Sequence, residues 1–322
     1  MRLLRAIAVC CTTLAACGTG SGPTDDTVAG LPGAGEDGGE PAPLEIDGPC
    51  PVDARIGAFL IEAQEEFSLV DGAVADGVVP ASVPEEVLAE GDCRLLRRRN
   101  PFCDPPCLAG QTCGLDGACI PFPSNQDVGT VTVTGLVDPV EIQPLQPGNR
   151  YSFTDLPNPA FEPGAEIRLR TTSGRYGELG LDGLGFVPIA PGDAWTIAPS
   201  EPLDVRWDAP EDALTRVELR VDIDQHGNSP VSLVCDLPDT GSARIPSSLV
   251  DALLGSGVSG FPSGRLARGT TDSLDVDGAS CVELSVASPR SVAVRVEGHV
   301  PCDGDDACPD GQSCDLATNT CR

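Results

Sequence analysis

The chain has 322 residues and carries 49 acidic residues against 20 basic ones, every one of them arginine, for a net charge of −29. That length accommodates about two domains, and that charge excludes a nucleic-acid partner, since a polyanion releases no phosphate counterions. Two histidines and twelve aromatic residues leave few general bases and few stacking surfaces, and fifteen cysteines exceed what a reducing compartment holds without metal.

Arg2 and Arg5 precede a short apolar run from Ala6 to Leu14. Such a run falls short of the ~20 residues that a spanning helix needs, and reads as a secretory signal over residues 1–16. It ends on Leu14-Ala15-Ala16-Cys17, which resembles the lipobox of bacterial lipoproteins. The resemblance implies cleavage before Cys17, diacylglycerol on its thiol, and a further chain such as palmitate on its new amino group. Two or more acyl chains give stable attachment to a membrane. Residue 18 is Gly, not the Asp by which that family retains proteins in the inner membrane, so the implied address is the outer membrane of a cell envelope. Cys10 and Cys11 leave with the signal and Cys17 takes lipid, so twelve cysteines remain, an even number as a disulfide framework requires. The mature chain keeps 18 arginines against 49 acids, −31, a body repelled by anionic surfaces. No later stretch is apolar enough to predict another membrane span.

Residues 17–48 are an acidic Gly/Pro-rich tether without a periodic apolar face, with an expected reach of about 30 Å. In residues 49–100, Ile56, Phe59, Leu60, Ala63, Phe67 and Val70 match one helical face, but Gly57 interrupts it. Phe67-Ser68-Leu69 followed by Asp71-Gly72 reads as strand into turn, and Val74, Val78 and Val79 continue the β-branched trend. A small β unit is expected over the helix, with Cys50–Cys93 as its staple.

A cysteine cluster at residues 101–122 then recurs at 301–322. Cys103, Cys107, Cys113 and Cys119 are echoed by Cys302, Cys308, Cys314 and Cys321, and Gly110-Gln111 aligns with Gly311-Gln312. Units this small build no core, so bridges must hold them. They resemble the short Dickkopf-like or EGF-like Cys-rich repeats of bacterial envelope proteins, which carry no catalytic residue. Each cluster allows three connectivities; first-to-third with second-to-fourth is the preferred one. A structural zinc is disfavoured by the absence of a C-x2-C knuckle, of any His inside, and by an oxidising compartment. No cofactor is expected.

Residues 123–300 alternate with period two. Val131 and Val133, then Leu203, Val205 and Trp207, then Val217, Leu219, Val221 and Ile223 alternate with polar or charged residues, and so do Val282 to Val286 and Val292 to Val296. Strands with one buried and one wet face, separated by Pro/Gly turns, predict an antiparallel β-sandwich-like domain. The fold class is therefore mainly β, a sandwich flanked by small disulfide-stapled modules. Pro246 to Gly255 reads as the single helix, with Pro near its start and Gly at its end. Cys235 and Cys281, at strand ends, are expected to pair.

Chemistry-bearing motifs are sparse. Asp222, Asp224 and Asn228 begin like a calcium loop, but Leu233 stands where an EF-hand needs its bidentate Glu, which leaves only a weak calcium candidate. Asp303, Asp305 and Asp306 form another acidic loop. No G-x-S-x-G elbow occurs, and neither His226 nor His299 belongs to H-E-x-x-H. Trp207, in phase with Leu203 and Val205, is expected in the core; Trp195, in a Pro-Gly-Asp-Ala context, is expected at the surface, where it would offer a sugar a stacking face. The expected function is a lipid-anchored envelope lipoprotein, not an enzyme, that binds, adheres to or scaffolds an envelope or extracellular protein or glycan. The alternative is a hydrolase of envelope or extracellular polysaccharide using two convergent carboxylates.

Overall fold

A computed structural model describes residues 44, 46–210, 214–224, 226, 230–278 and 280–322. Cys17, with its signal and most of the tether, lies outside the described residues, as does Asn228.

In chain order, β1 (Arg55–Ala63) and β2 (Ser68–Val74) form a hairpin, as do β3 (Glu85–Glu90) and β4 (Cys93–Arg97). The first Cys-rich module holds β5 (Gln111–Cys113) and β6 (Cys119–Pro121). Next come β7 (Val131–Thr134), β8 (Val140–Ile142), β9 (Tyr151–Leu156), β10 (Glu166–Thr171), β11 (Gly180–Leu184), β12 (Trp195–Ile197) and β13 (Leu203–Arg206). They are followed by β14 (Arg216–Asp222), β15 (Val231–Pro238), β16 (Ser242–Ile245), α1 (Ser247–Gly255), β17 (Ser263–Asp275) and β18 (Cys281–Val296). The C-terminal module ends on β19 (Cys314–Asp315) and β20 (Thr320–Cys321).

One ten-stranded sheet, in the order β3-β4-β15-β14-β17-β18-β1-β2-β9 with β12 added alongside β18, organises the chain. Its long β17–β18 hairpin carries two separate cores on one face. Val282, Leu284 and Val286 of β18 join Phe59, Ile61, Val70 and the four-stranded sheet β11-β10-β7-β8. Val292, Val294 and Val296, on the same face because the side-chain period is two, join Val217, Leu219, Leu233, Trp207 and α1. The alternation read in the sequence is therefore observed, and so is the helix, which buries Leu249, Val250 and Leu253.

Between the two cores lies a polar strip. Arg268 of β17, 0% exposed, donates Nε to Asp239 Oδ2 at 2.6 Å and Nη2 to Asp239 Oδ1 at 3.3 Å. Its other donors reach the Val187 carbonyl at 2.9 Å and the Asp208 carbonyl at 2.5 Å. Asp239 also accepts from Trp207 Nε1 and Thr215 Oγ1, each at 2.7 Å. A buried guanidinium is tolerable only when paired and fully hydrogen-bonded, and this network meets that condition.

The β unit at 49–100 forms strands as expected, but they lie within the main sheet. β1 pairs parallel with β18, and β4 pairs with β15. This changes two disulfides: Cys50 bonds Cys281 and Cys93 bonds Cys235, in place of Cys50–Cys93 and Cys235–Cys281. The parallel ladder brings Cys50 to the start of β18, and the β4–β15 register sets Cys93 directly opposite Cys235. Asp71-Gly72 is not a turn either. The hairpin closes at Gln64, whose N–H reaches the Phe67 carbonyl at 2.9 Å, and Gly72 sits in mid-strand opposite Phe59. A Cβ there would lie 2.3 Å from Phe59 Cδ1, so glycine makes room for the ring. Both modules have the crossed pairing, Cys103–Cys113 with Cys107–Cys119 and Cys302–Cys314 with Cys308–Cys321.

Candidate functional site

The face of the large sheet opposite the two cores holds a groove of about 860 Å³. Its floor comes from the outward positions of the β17–β18 hairpin, where Gly269 faces Ala287 and Thr271 faces Ser285. Small side chains here create the depression, because neighbouring strands carry long ones. Leu60 and Glu62 of β1 stand beside Ser285 and Ala287, and Arg216 and Glu218 of β14 stand beside Gly269 and Ala267. Gly269 is held to glycine by its partner strand, since a Cβ would come 2.5 Å from the Val286 carbonyl oxygen. Leu44, Ile46 and Pro49 border the groove at the entry of the chain into the sheet. Beyond Glu62 and Arg265 a second, polar hollow of about 440 Å³ adjoins it, lined by Gln64, Glu65 and Arg290 among others.

The carboxylates of the groove are engaged. Arg265 lies between two of them, with Nη2 at 2.8 Å from Glu62 Oε1 and Nη1 at 3.2 Å from Glu218 Oε1. The second oxygen of the buried Glu62 accepts from Gln64 Nε2 at 2.7 Å. Glu283 accepts from Arg55 Nη1 at 2.5 Å and from the Cys50 N–H at 3.2 Å. Asp236 receives Arg216 Nε at 2.7 Å, and that hydrogen bond pushes the Arg216 guanidinium further up from its usual value. An acid–base pair needs one carboxyl free to give a proton and one free to take it. Charge-assisted hydrogen bonds from the arginines hold these carboxylates in fixed orientations.

The sequence-derived candidates fall elsewhere. All twelve described cysteines are in disulfides, which accounts for the two cysteine clusters. Asp222 is bound by Arg220 Nε at 2.8 Å and by Ser232 Oγ, while Asp224 accepts from Ser259 Oγ and the His226 N–H. These contacts tie each aspartate to its own strand neighbourhood. His299 Nε2 meets the Gly260 carbonyl at 2.8 Å, at the junction with the C-terminal module. Trp207 is buried as expected. Trp195 is buried as well, only 3% exposed, against the expectation of a surface ring. β12 pairs it with Val294, and its ring occupies the space left by Gly264, where a Cβ would be 2.6 Å from Trp195 Cζ3. Neither tryptophan offers a sugar a stacking face.

The groove floor is not legible as a site in the sequence. One signal was present: outward positions of β17 and β18 are Ala267, Gly269, Thr271, Ser285 and Ala287, whereas those of β14 are charged. No family model matches the chain, and no curated protein matches it.

Proposed function

We propose that the chain is a lipid-anchored lipoprotein of the cell envelope, held in the outer membrane through Cys17, whose folded part binds a polypeptide segment in the groove on the open sheet face. The groove itself carries this reading: its floor is made of small side chains, two apolar positions and two hydroxyls, and its carboxylates are held by arginines, the Gln64 amide and backbone. A polypeptide is favoured over a glycan because, among the described residues, the only aromatic ring on the lining is Phe59, which is fully buried. The address rests on the Leu14-Ala15-Ala16-Cys17 motif and on a cysteine framework that suits an oxidising compartment.

The test places a photo-crosslinker at Ser285 in cells and compares it with one at Glu141 on β8. A discrete protein adduct at Ser285, lost when Thr271→Trp fills the groove and absent at Glu141, is the expected result. No adduct, or one indifferent to Thr271→Trp, refutes the binding role. Cleavage of an envelope polysaccharide that disappears with Glu62→Gln would replace it with the hydrolase reading. Anchoring is checked separately: Cys17→Ser should leave an unprocessed precursor or a soluble product, and wild-type protein that stays out of the detergent phase with no acyl mass on its N-terminal peptide would refute it.

A further inference from the structure

The stretch from Arg97 to Phe122 departs from the rest of this acidic molecule. Most arginines are committed to carboxylates, among them Arg94 to Glu86 at 3.1 Å, Arg150 to Asp71 at 2.5 Å and Arg244 to Asp204 at 3.1 Å. Arg97, the last residue of β4, and Arg98 and Arg99 just after it form none of the ion pairs or side-chain hydrogen bonds found among the described residues; Arg98 is exposed, Arg97 and Arg99 are half-buried, and Arg99 keeps its Nε buried without a partner. Glu85 stands opposite Arg97 in the β3–β4 ladder without pairing to it. From Arg97 to Phe122 three arginines face two acids, Asp104 and Asp116, in a chain whose net charge is −29.

Three residues beyond Arg99 the surface turns apolar. Phe102 is 79% exposed, Leu108 76% and Phe122 61%. Two bridges and the hydrogen bond from the Phe122 N–H to the Gly110 carbonyl hold these residues on one small body. The C-terminal module shows that the scaffold does not require this surface. It has the same crossed bridges, yet five aspartates against one arginine and a single large exposed apolar residue, Leu316.

We propose that Arg97 to Phe122 is a membrane-docking patch that lays the folded body against anionic lipid headgroups. Adjacent cations and exposed Phe and Leu side chains are the chemistry of interfacial binding: the rings enter the headgroup boundary while the guanidinium groups meet phosphates. The overall negative charge does not prevent this, because charges farther than a Debye length of about 8 Å are screened. The inference is independent of the groove and of acylation.

The test uses the full chain carrying Cys17→Ser, so that no acyl chain holds it, with sedimentation on phosphatidylcholine vesicles with and without about 30% phosphatidylglycerol. Binding to the anionic vesicles, weakened at about 0.5 M salt, is expected. Replacing Arg97, Arg98 and Arg99 by Gln should weaken it about a hundredfold, near fivefold per arginine. Phe102→Ala with Phe122→Ala should weaken it at high salt too, and Leu316→Ala should leave it unchanged. Circular dichroism and intact disulfides confirm folding of each variant. Failure to partition onto anionic vesicles, equal binding by the triple Gln variant, or retention by protein partners alone would overturn the proposal.

Discussion

Removing the Asp239 carboxylate tests how the two cores are joined on one sheet. Asp239→Ala leaves Arg268, fully buried, without its two-point partner, and leaves Trp207 Nε1 and Thr215 Oγ1 without acceptors. Breaking a buried ion pair on one side costs about 3–5 kcal/mol, and each stranded donor about 1–3 kcal/mol. These costs overlap, because Asp208 still accepts from Arg268 through its carbonyl at 2.5 Å. A loss of about 5 kcal/mol is expected, and at roughly 2–4 °C per kcal/mol the melting point should fall by about 10 °C or more. Arg268→Met is expected to cost less, because Asp239 keeps its bonds to Trp207 and Thr215. Arg268→Met combined with Asp239→Ala should then cost less than the sum of the single changes, a coupling of about 2 kcal/mol. Equilibrium denaturation of the four proteins, followed by circular dichroism and Trp fluorescence, measures the cycle. An Asp239→Ala loss below about 1 kcal/mol, or strict additivity, would refute the claim that this network is buried and joins the cores. Ala267 and Gly269 flank Arg268 on the opposite face, so the same variant should also weaken adduct formation from the groove.

Peptide mapping of the non-reduced protein should recover Cys50 linked to Cys281 and Cys93 linked to Cys235, and a Cys235–Cys281 peptide would contradict the sheet order. Mild reductant should first open the terminal module held by Cys302–Cys314 and Cys308–Cys321, because its stability depends on bridges worth about 2–4 kcal/mol each, while the buried Cys93–Cys235 bond persists with the β signal. Simultaneous loss of both would refute that ordering. The Ser124 N–H, at 2.8 Å, and the Ser124 hydroxyl hold the Asp76 carboxyl below its usual value of 3.8. A lowered folded value stabilises above the unfolded value and is lost as pH falls through the folded one. Amide exchange at Asp76 and Ser124, corrected for intrinsic rates, should therefore speed up below about pH 4, and Asp76→Asn should remove that dependence; identical profiles would refute it.

Local pattern was enough to show where strands form and which residues each one buries. Val217, Leu219, Val221 and Ile223 alternate with charges, and a strand has only two faces, so their burial follows from sequence alone. That bridges must close each coreless module of about twenty residues also follows from sequence, but which of the three connectivities forms is shown only by the structure. Trp195 differs: its site is made by Gly264, far along the chain, and nothing in its own neighbourhood announces that a glycine will stand opposite. Cys50 and Cys93 differ for a related reason. Their partners depend on which strands lie side by side, and β1 beside β18 and β4 beside β15 are pairings of distant segments chosen by the whole sheet. The groove is likewise a product of register. Gly269, Ala287, Thr271 and Ser285 are ordinary small residues on the wet side of two strands until the hairpin aligns them between Glu62 and Arg216. The expectation of a signal and of lipid at Cys17 rests on adjacent residues alone. The groove depends on strand pairing across more than two hundred residues, and therefore only the tertiary structure decides where it lies.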